Sequence, residues 1–132
     1  MHEMINPEGW KPAQGYANAV IASGRTLYLA GQIGWNADQR FETDDLVGQI
    51  EQTLSNIRTI LECAGAGPEH LVRLTWFVTD KRAYLDQQKA IGAVYRAVIG
   101  RHFPAMSVVE VSSLLEERAQ VEIEATAVLP EG

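Results

Sequence analysis

The sequence predicts an α+β fold in the order β-β-α-β-α-β-β, with two helices on one face of a mixed sheet. Three observations carry this. Leu46, Ile50, Leu54, Ile57, Leu61 and Ala64 recur at spacings of three or four residues, the period of an amphipathic helix. Five apolar runs, at 17–22, 26–32, 70–79, 105–111 and 119–128, have the length and the Val, Ile, Leu and Ala content of strands. Breaks at Ser23-Gly24-Arg25, at Gly65-Ala66-Gly67-Pro68 and at Gly100 separate the segments.

Taken in order, residues 1–15 hold Pro7, Gly9, Pro12 and Gly15, too much punctuation for a regular element, and predict an irregular lead-in. The next two runs flank a short glycine-containing turn and are expected to form an antiparallel hairpin. The second ends in Gly31-Gln32-Ile33-Gly34-Trp35, where glycines permit close backbone approach. A helix is expected over 44–64, with Thr43 as N-cap, Asp44 and Asp45 in the first turn and Gly65 just past the end.

Alternation through 70–79 puts Val72, Leu74, Trp76 and Val78 on one face and Leu71, Arg73, Thr75 and Phe77 on the other. Asp80 can cap a second helix carrying Tyr84, Ile91, Tyr95 and Val98, which Gly100 ends. The closing strands, joined by SSLLEER, read as a long hairpin or as neighbours. Two helices of roughly 20 and 18 residues can cover one sheet face. Leu71, Phe77 and Val108 would then point to the other, and an uncovered, partly apolar face implies a symmetric homo-oligomer with sites at subunit boundaries.

The 132 residues, 46% hydrophobic and 21% charged, suit one globular domain spanning 1–132. A net charge of −6 argues against nucleic acid or an anionic membrane surface as partner and leaves small molecules or proteins. Cys63 is the only cysteine, so no intrachain disulfide can form. Its place at a helix end reads as a buried or half-buried inert thiol. His2, His70 and His102 are isolated, which points away from zinc or iron. No stretch approaches the roughly 20 apolar residues of a membrane span, and the N-terminus lacks the pattern of a signal peptide, so a cytoplasmic location is expected.

In the last run, Val121, Ile123, Ala125 and Ala127 share one face, leaving Gln120, Glu122, Glu124 and Thr126 on the other. Two carboxylates side by side on a strand can orient water or hold a proton, and Glu110 is a candidate third member. The alternative is that these glutamates are solvated or paired with Arg73. Trp35, beside two glycines at a strand end, is a candidate pocket wall or a packing residue.

Four segments together resemble the Rid (YjgF/YER057c) family of reactive imine and enamine deaminases: Gly15-Tyr16, Leu29-Ala30-Gly31-Gln32-Ile33, Phe103-Pro104-Ala105 leading into SVVEV, and the closing VEIEATAV. The resemblance implies a chorismate-mutase-like α+β fold, a homotrimer with pockets between subunits, and hydrolysis of a C=N bond without a cofactor. It puts a water-placing or proton-moving role on Glu122, ligand-facing backbone on Gly31 and Val108, a pocket tyrosine on Tyr16, and Gln32 next to the matching glycine.

The chain departs from the family pattern in one telling place. Where the deaminating members have Pro-Ala-Arg-Ser, it has Pro104-Ala105-Met106-Ser107. That arginine grips the substrate carboxylate with a two-pronged ion pair, for which a thioether has neither charge nor donors. At about 1.5–3 kcal/mol per charge-assisted hydrogen bond, losing two weakens an ordinary imino acid by roughly 10² to 10⁴. Gly92 also stands where many members have asparagine. Two expectations follow. One is a hydrolase for an imine without a carboxylate, or with one held by Arg73 or Arg118. The other is a non-catalytic trimeric binder of a small molecule or partner, with Met106 and Trp35 in an apolar cleft.

Overall fold

The computed structural model describes residues 2–131, and its elements follow the hydrophobic pattern with several informative departures. They are β1 (Glu3–Ile5), β2 (Ala19–Ile21), β3 (Arg25–Ile33), α1 (Leu46–Cys63), β4 (Leu71–Val78), α2 (Lys81–Asp86), α3 (Gln88–Val98), β5 (Ala105–Glu110) and β6 (Val121–Leu129). The main sheet has the order β3-β6-β4-β5. β6 is antiparallel to both neighbours, and β5 is parallel to β4. The parallel pair requires a crossover, which α2 and α3 supply. This is the expected mixed α+β sheet with its helices on one face.

The core follows from the two periods. Leu46, Ile50, Leu54, Ile57 and Leu61 of α1 meet Leu74, Trp76 and Val78 of β4, and Val121, Ile123 and Ala127 of β6, all buried. Ile91 and Tyr95 of α3 complete the layer. Asp45, not Thr43, caps α1: its carboxylate accepts the Gly48 N–H at 2.9 Å, while the Thr43 hydroxyl accepts the Asp45 N–H at 3.0 Å. Gly65 and Gly100 take the positive φ values, 74° and 97°, anticipated beyond the helix ends.

Other expectations give way. Residues 17–22 and 26–32 do not form a hairpin, because Ala19–Ile21 pairs with Glu3–Ile5 from the supposedly irregular lead-in, and β3 pairs with β6. The closing strands are not neighbours either, since β4 lies between β5 and β6. The second helix is broken at Gln87 (φ −122°, ψ 22°), with no glycine or proline to announce it. Cys63 is exposed rather than buried.

Register shifts decide the faces. An irregularity between Leu71 and Arg73 turns Leu71 into the core, fully buried, rather than onto the open side with Phe77. Val108 pairs with Trp76 and Met106 with Leu74, so both lie on the helix side of the sheet; the expectation that Val108 faces away is overturned by the in-register parallel pairing. Glu110 lies on that side too and accepts the Lys81 N–H at 2.8 Å. It caps the start of α2 and does not join the glutamates of β6.

Two stability outcomes follow. Ile123→Ala, at a fully buried position, lowers unfolding free energy by about 2–5 kcal/mol in urea titrations. Glu110→Ala lowers it by about 1 kcal/mol through loss of a charge at a helix N-terminus.

Candidate functional site

The sequence-predicted site residues fall into three places. On the open face, Glu122 stands between Ile33 and Phe77 in register. Between the pairs Leu29–Ala125 and Gln32–Ile123, β3 has one residue more than β6, a bulge at Ala30 and Gly31. The bulge brings Gly31 against Glu122 so closely that a Cβ on Gly31 would overlap the Glu122 Oε2. The carboxylate thus lies over exposed backbone that has no side chain of its own.

Next to them, Tyr28, Arg73, Thr75, Glu124 and Thr126 line a hollow of about 250 Å³. Arg73 makes no ion pair among the described residues, so of the alternatives that the glutamates are solvated or paired with Arg73, the pairing does not form within the chain. Tyr28 is 80% exposed, which leaves a large aromatic on this uncovered face.

Met106 and Val108 lie on the other side of the sheet, at the edge made by β5. They line a groove of about 230 Å³ with Trp76, Tyr84, Ile91 and Phe103, and with Gln88, Gly92 and Arg96. Tyr95 stacks on Phe103 at 5.4 Å between centroids and donates its hydroxyl to the His102 carbonyl at 2.6 Å. Burial pushes the Tyr95 phenol well above its ordinary range. Burial also raises Tyr84, against the opposing effect of a hydrogen bond with Gln88. Both phenols therefore stay neutral at physiological pH, and Arg96 is the one charged side chain lining the groove among the described residues. Tyr16, 42% exposed, sits beside this edge because the Ala17 N–H donates to the Pro104 carbonyl at 3.0 Å and Ala17 bridges to Ala105.

Gln32 and Trp35 occupy a third place, over α1 at the opposite edge of the sheet. They border a depression of about 430 Å³ with Asn56 and Thr59. Trp35 packs on Phe41 at 5.9 Å, and Asn56 Nδ2 donates to the carbonyls of Ile33 and Trp35. Trp35 and Met106 therefore line different depressions within one chain. Arg118 is committed elsewhere, 2.9 Å from Asp44 and 5.3 Å above the Phe41 ring. The histidines are structural: His102 Nε2 donates to the Leu71 carbonyl and His70 Nδ1 accepts the Gly67 N–H. The described residues bring together no three His, Cys, Asp or Glu side chains in a metal-binding group.

The fold and these positions can be set beside known proteins. The family described as endoribonuclease L-PSP matches the chain over residues 8–129. The chain belongs to this family, the Rid (YjgF) family. It is 35% identical over 108 residues to the 2-iminobutanoate/2-iminopropanoate deaminase of Escherichia coli K12, covering 80% of each chain. With the RutC family protein UK114 of Drosophila melanogaster it shares 32% over 118 residues, 89% of this chain and 81% of the relative. The solved structure of the Rid-family protein YyfB of Yersinia pestis matches with a TM-score of 0.88 at 36% identity, covering 97% of this chain and 98% of that one.

Within this Rid-family chain, sequence reasoning missed Tyr84, Gln88 and Arg96 as groove residues. Only Tyr84 carried a signal, as part of the apolar helical stripe; Gln88 and Arg96 lie beyond the unannounced break at Gln87. Gly31→Ala is expected to displace the flexible Glu122 side chain rather than the strand. Unfolding free energy should change by less than about 1 kcal/mol in urea titrations, because the group that must move is the far end of a side chain.

Proposed function

We propose that this chain hydrolyses a reactive imine to a carbonyl compound and ammonia. The observation that carries the reading is the Glu122 carboxylate lying over the side-chain-free Gly31 on the open sheet face. An enamine substrate first tautomerises to the imine. Glu122 takes a proton from water as the water oxygen bonds to the C=N carbon and passes that proton to the nitrogen, giving the carbinolamine R₂C(OH)NH₂. The hydroxyl proton then moves to nitrogen by way of the same carboxylate, the C–N bond breaks, and ammonia leaves as the C=O forms, so R₂C=NH and water become R₂C=O and NH₃. The curated E. coli relative's deaminase name supports this reaction class.

Glu122 and the Met106 groove lie on opposite faces of one chain's sheet, so a site using both requires two copies. A homotrimer, with Glu122 and Gly31 of one subunit meeting the groove of the next, answers this and would cover Tyr28 and the rest of the open face. Light scattering should then give a mass three times that of the 14.6 kDa chain. A cytoplasmic location fits a reaction on short-lived metabolites; no helix among the described residues is long and apolar enough to cross a membrane. The net charge of −6 argues against the nucleic-acid substrate that the family's description names.

The aromatic groove around Met106 favours one second reading, a trimeric binder without turnover. Both are tested by generating imines in place with an amino-acid oxidase and comparing trapped imine with released ammonia. Wild type should accelerate ammonia release and Glu122→Gln should lose at least about 10² of that rate. Met106→Arg should improve turnover of carboxylate-bearing imines. Equal turnover by wild type and Glu122→Gln removes Glu122 from the mechanism. No turnover of any imine, with saturable binding of an apolar ligand, selects the binder.

A further inference from the structure

Met106 leaves β5 without a cation, but the groove is not without one. Arg96 lies one turn after Gly92 on α3, and both line the groove with Met106. A Cβ on Gly92 would stand 3.2 Å from Arg96 Nη1, so the guanidinium folds back along the helix over the space that the missing side chain leaves. It makes no hydrogen bond or ion pair among the described residues. A purely structural role for an arginine in the last turn is to face the final carbonyls of the helix. Lying back over Gly92, the guanidinium points toward the N-terminal turns instead. Within one chain, Arg73 lines the open-face hollow and Arg118 is held by Asp44, so neither reaches this groove.

We propose that Arg96 is the specificity-determining cation of the groove, holding the carboxylate of a small 2-imino acid from the helix side in place of an arginine at position 106. Gly92 supplies the room for the guanidinium, and Met106 with Trp76, Tyr84 and Phe103 supplies an apolar wall for the substrate's carbon chain. Met106 and Gly92 then fit one arrangement: the cation stands on the helix, and neither residue crowds it or competes with its charge. The inference rests on the groove being half of the imine site.

The test compares wild type, Arg96→Gln, Arg96→Lys and the double variant Arg96→Gln/Met106→Arg. Each is assayed for kcat and KM on an oxidase-generated imino acid and on a carboxylate-free imine, and for 2-oxobutanoate binding by calorimetry. Arg96→Gln should raise KM for the imino acid and Kd for 2-oxobutanoate about 10- to 100-fold, the factor for one or two charge-assisted hydrogen bonds. Its kcat and its KM for the carboxylate-free imine should stay close to wild type. Arg96→Lys should restore part of the loss, since charge remains but the fork does not. The double variant should restore more, because its cation returns on the strand. Unchanged KM and Kd in Arg96→Gln would overturn the proposal, as would an equal loss on both imines. If wild type hydrolyses no imine, the deaminase reading fails, and 2-oxobutanoate still decides: weaker binding in Arg96→Gln upholds Arg96, and equal or undetectable binding in both refutes it.

Discussion

The two-residue period of β6 is the constraint on which the molecule depends. As the second strand of a four-stranded sheet it is hydrogen-bonded on both sides, so its side chains can point only into the helix layer or out of the open face. Val121, Ile123, Ala125 and Ala127 go inward and are almost fully buried. Glu122, Glu124 and Thr126 must then go outward, and a shift of one residue would bury two carboxylates and expose the centre of the core. The core thus positions the candidate catalytic group, although none of its atoms belongs to the site.

That register is fixed at the entry to the strand by a buried polar side chain. Gln49, fully buried on α1, donates through Nε2 to the carbonyls of Thr43 and Arg118, and its Oε1 accepts the Gln120 N–H at 2.8 Å. All its main hydrogen-bonding positions toward the chain are used, so it costs nothing in unmet polarity and joins the start of α1 to the residue before β6. By contrast, Trp76 Nε1 is buried without a partner among the described residues, in a side chain that lines the groove. The molecule is polar-satisfied where it sets register and unsatisfied next to its groove.

How much of this the amino-acid sequence displays depends on whether the deciding interaction is local. The stripe from Leu46 to Leu61 announces α1 because the period and the burial are properties of one segment. Gly65 and Gly100 announce its end and that of α3, because a positive φ is also local. The outward placement of Glu122 was legible for the same reason. Four other assignments were not. Val108 and Glu110 were misplaced because their side is set by a parallel partner strand, and Leu71 because a bulge reverses its face. The strand pairing of Ala19–Ile21 depends on Glu3–Ile5, a segment whose prolines and glycines lie just beyond it and mask it.

On the proposed function, the separation of the two half-sites also bears on how such a site can change. Glu122 and Gly31 answer to the bulge in β3 and to the core beneath β6, whereas the groove answers to β5, α2 and α3. Substitutions in the groove alter what is held without touching the strand register that aims the carboxylate, because the two share only the sheet between them. If the proposed trimer brings them together, the subunit contact is the single place where binding and chemistry are coupled. On the proposed function, a fold arranged in this way can carry its carboxylate-holding cation on the helix and leave the glutamate of β6 in place. On that reading, Glu122 and Gly31 alongside Met106 and Gly92 form one coherent state of the site.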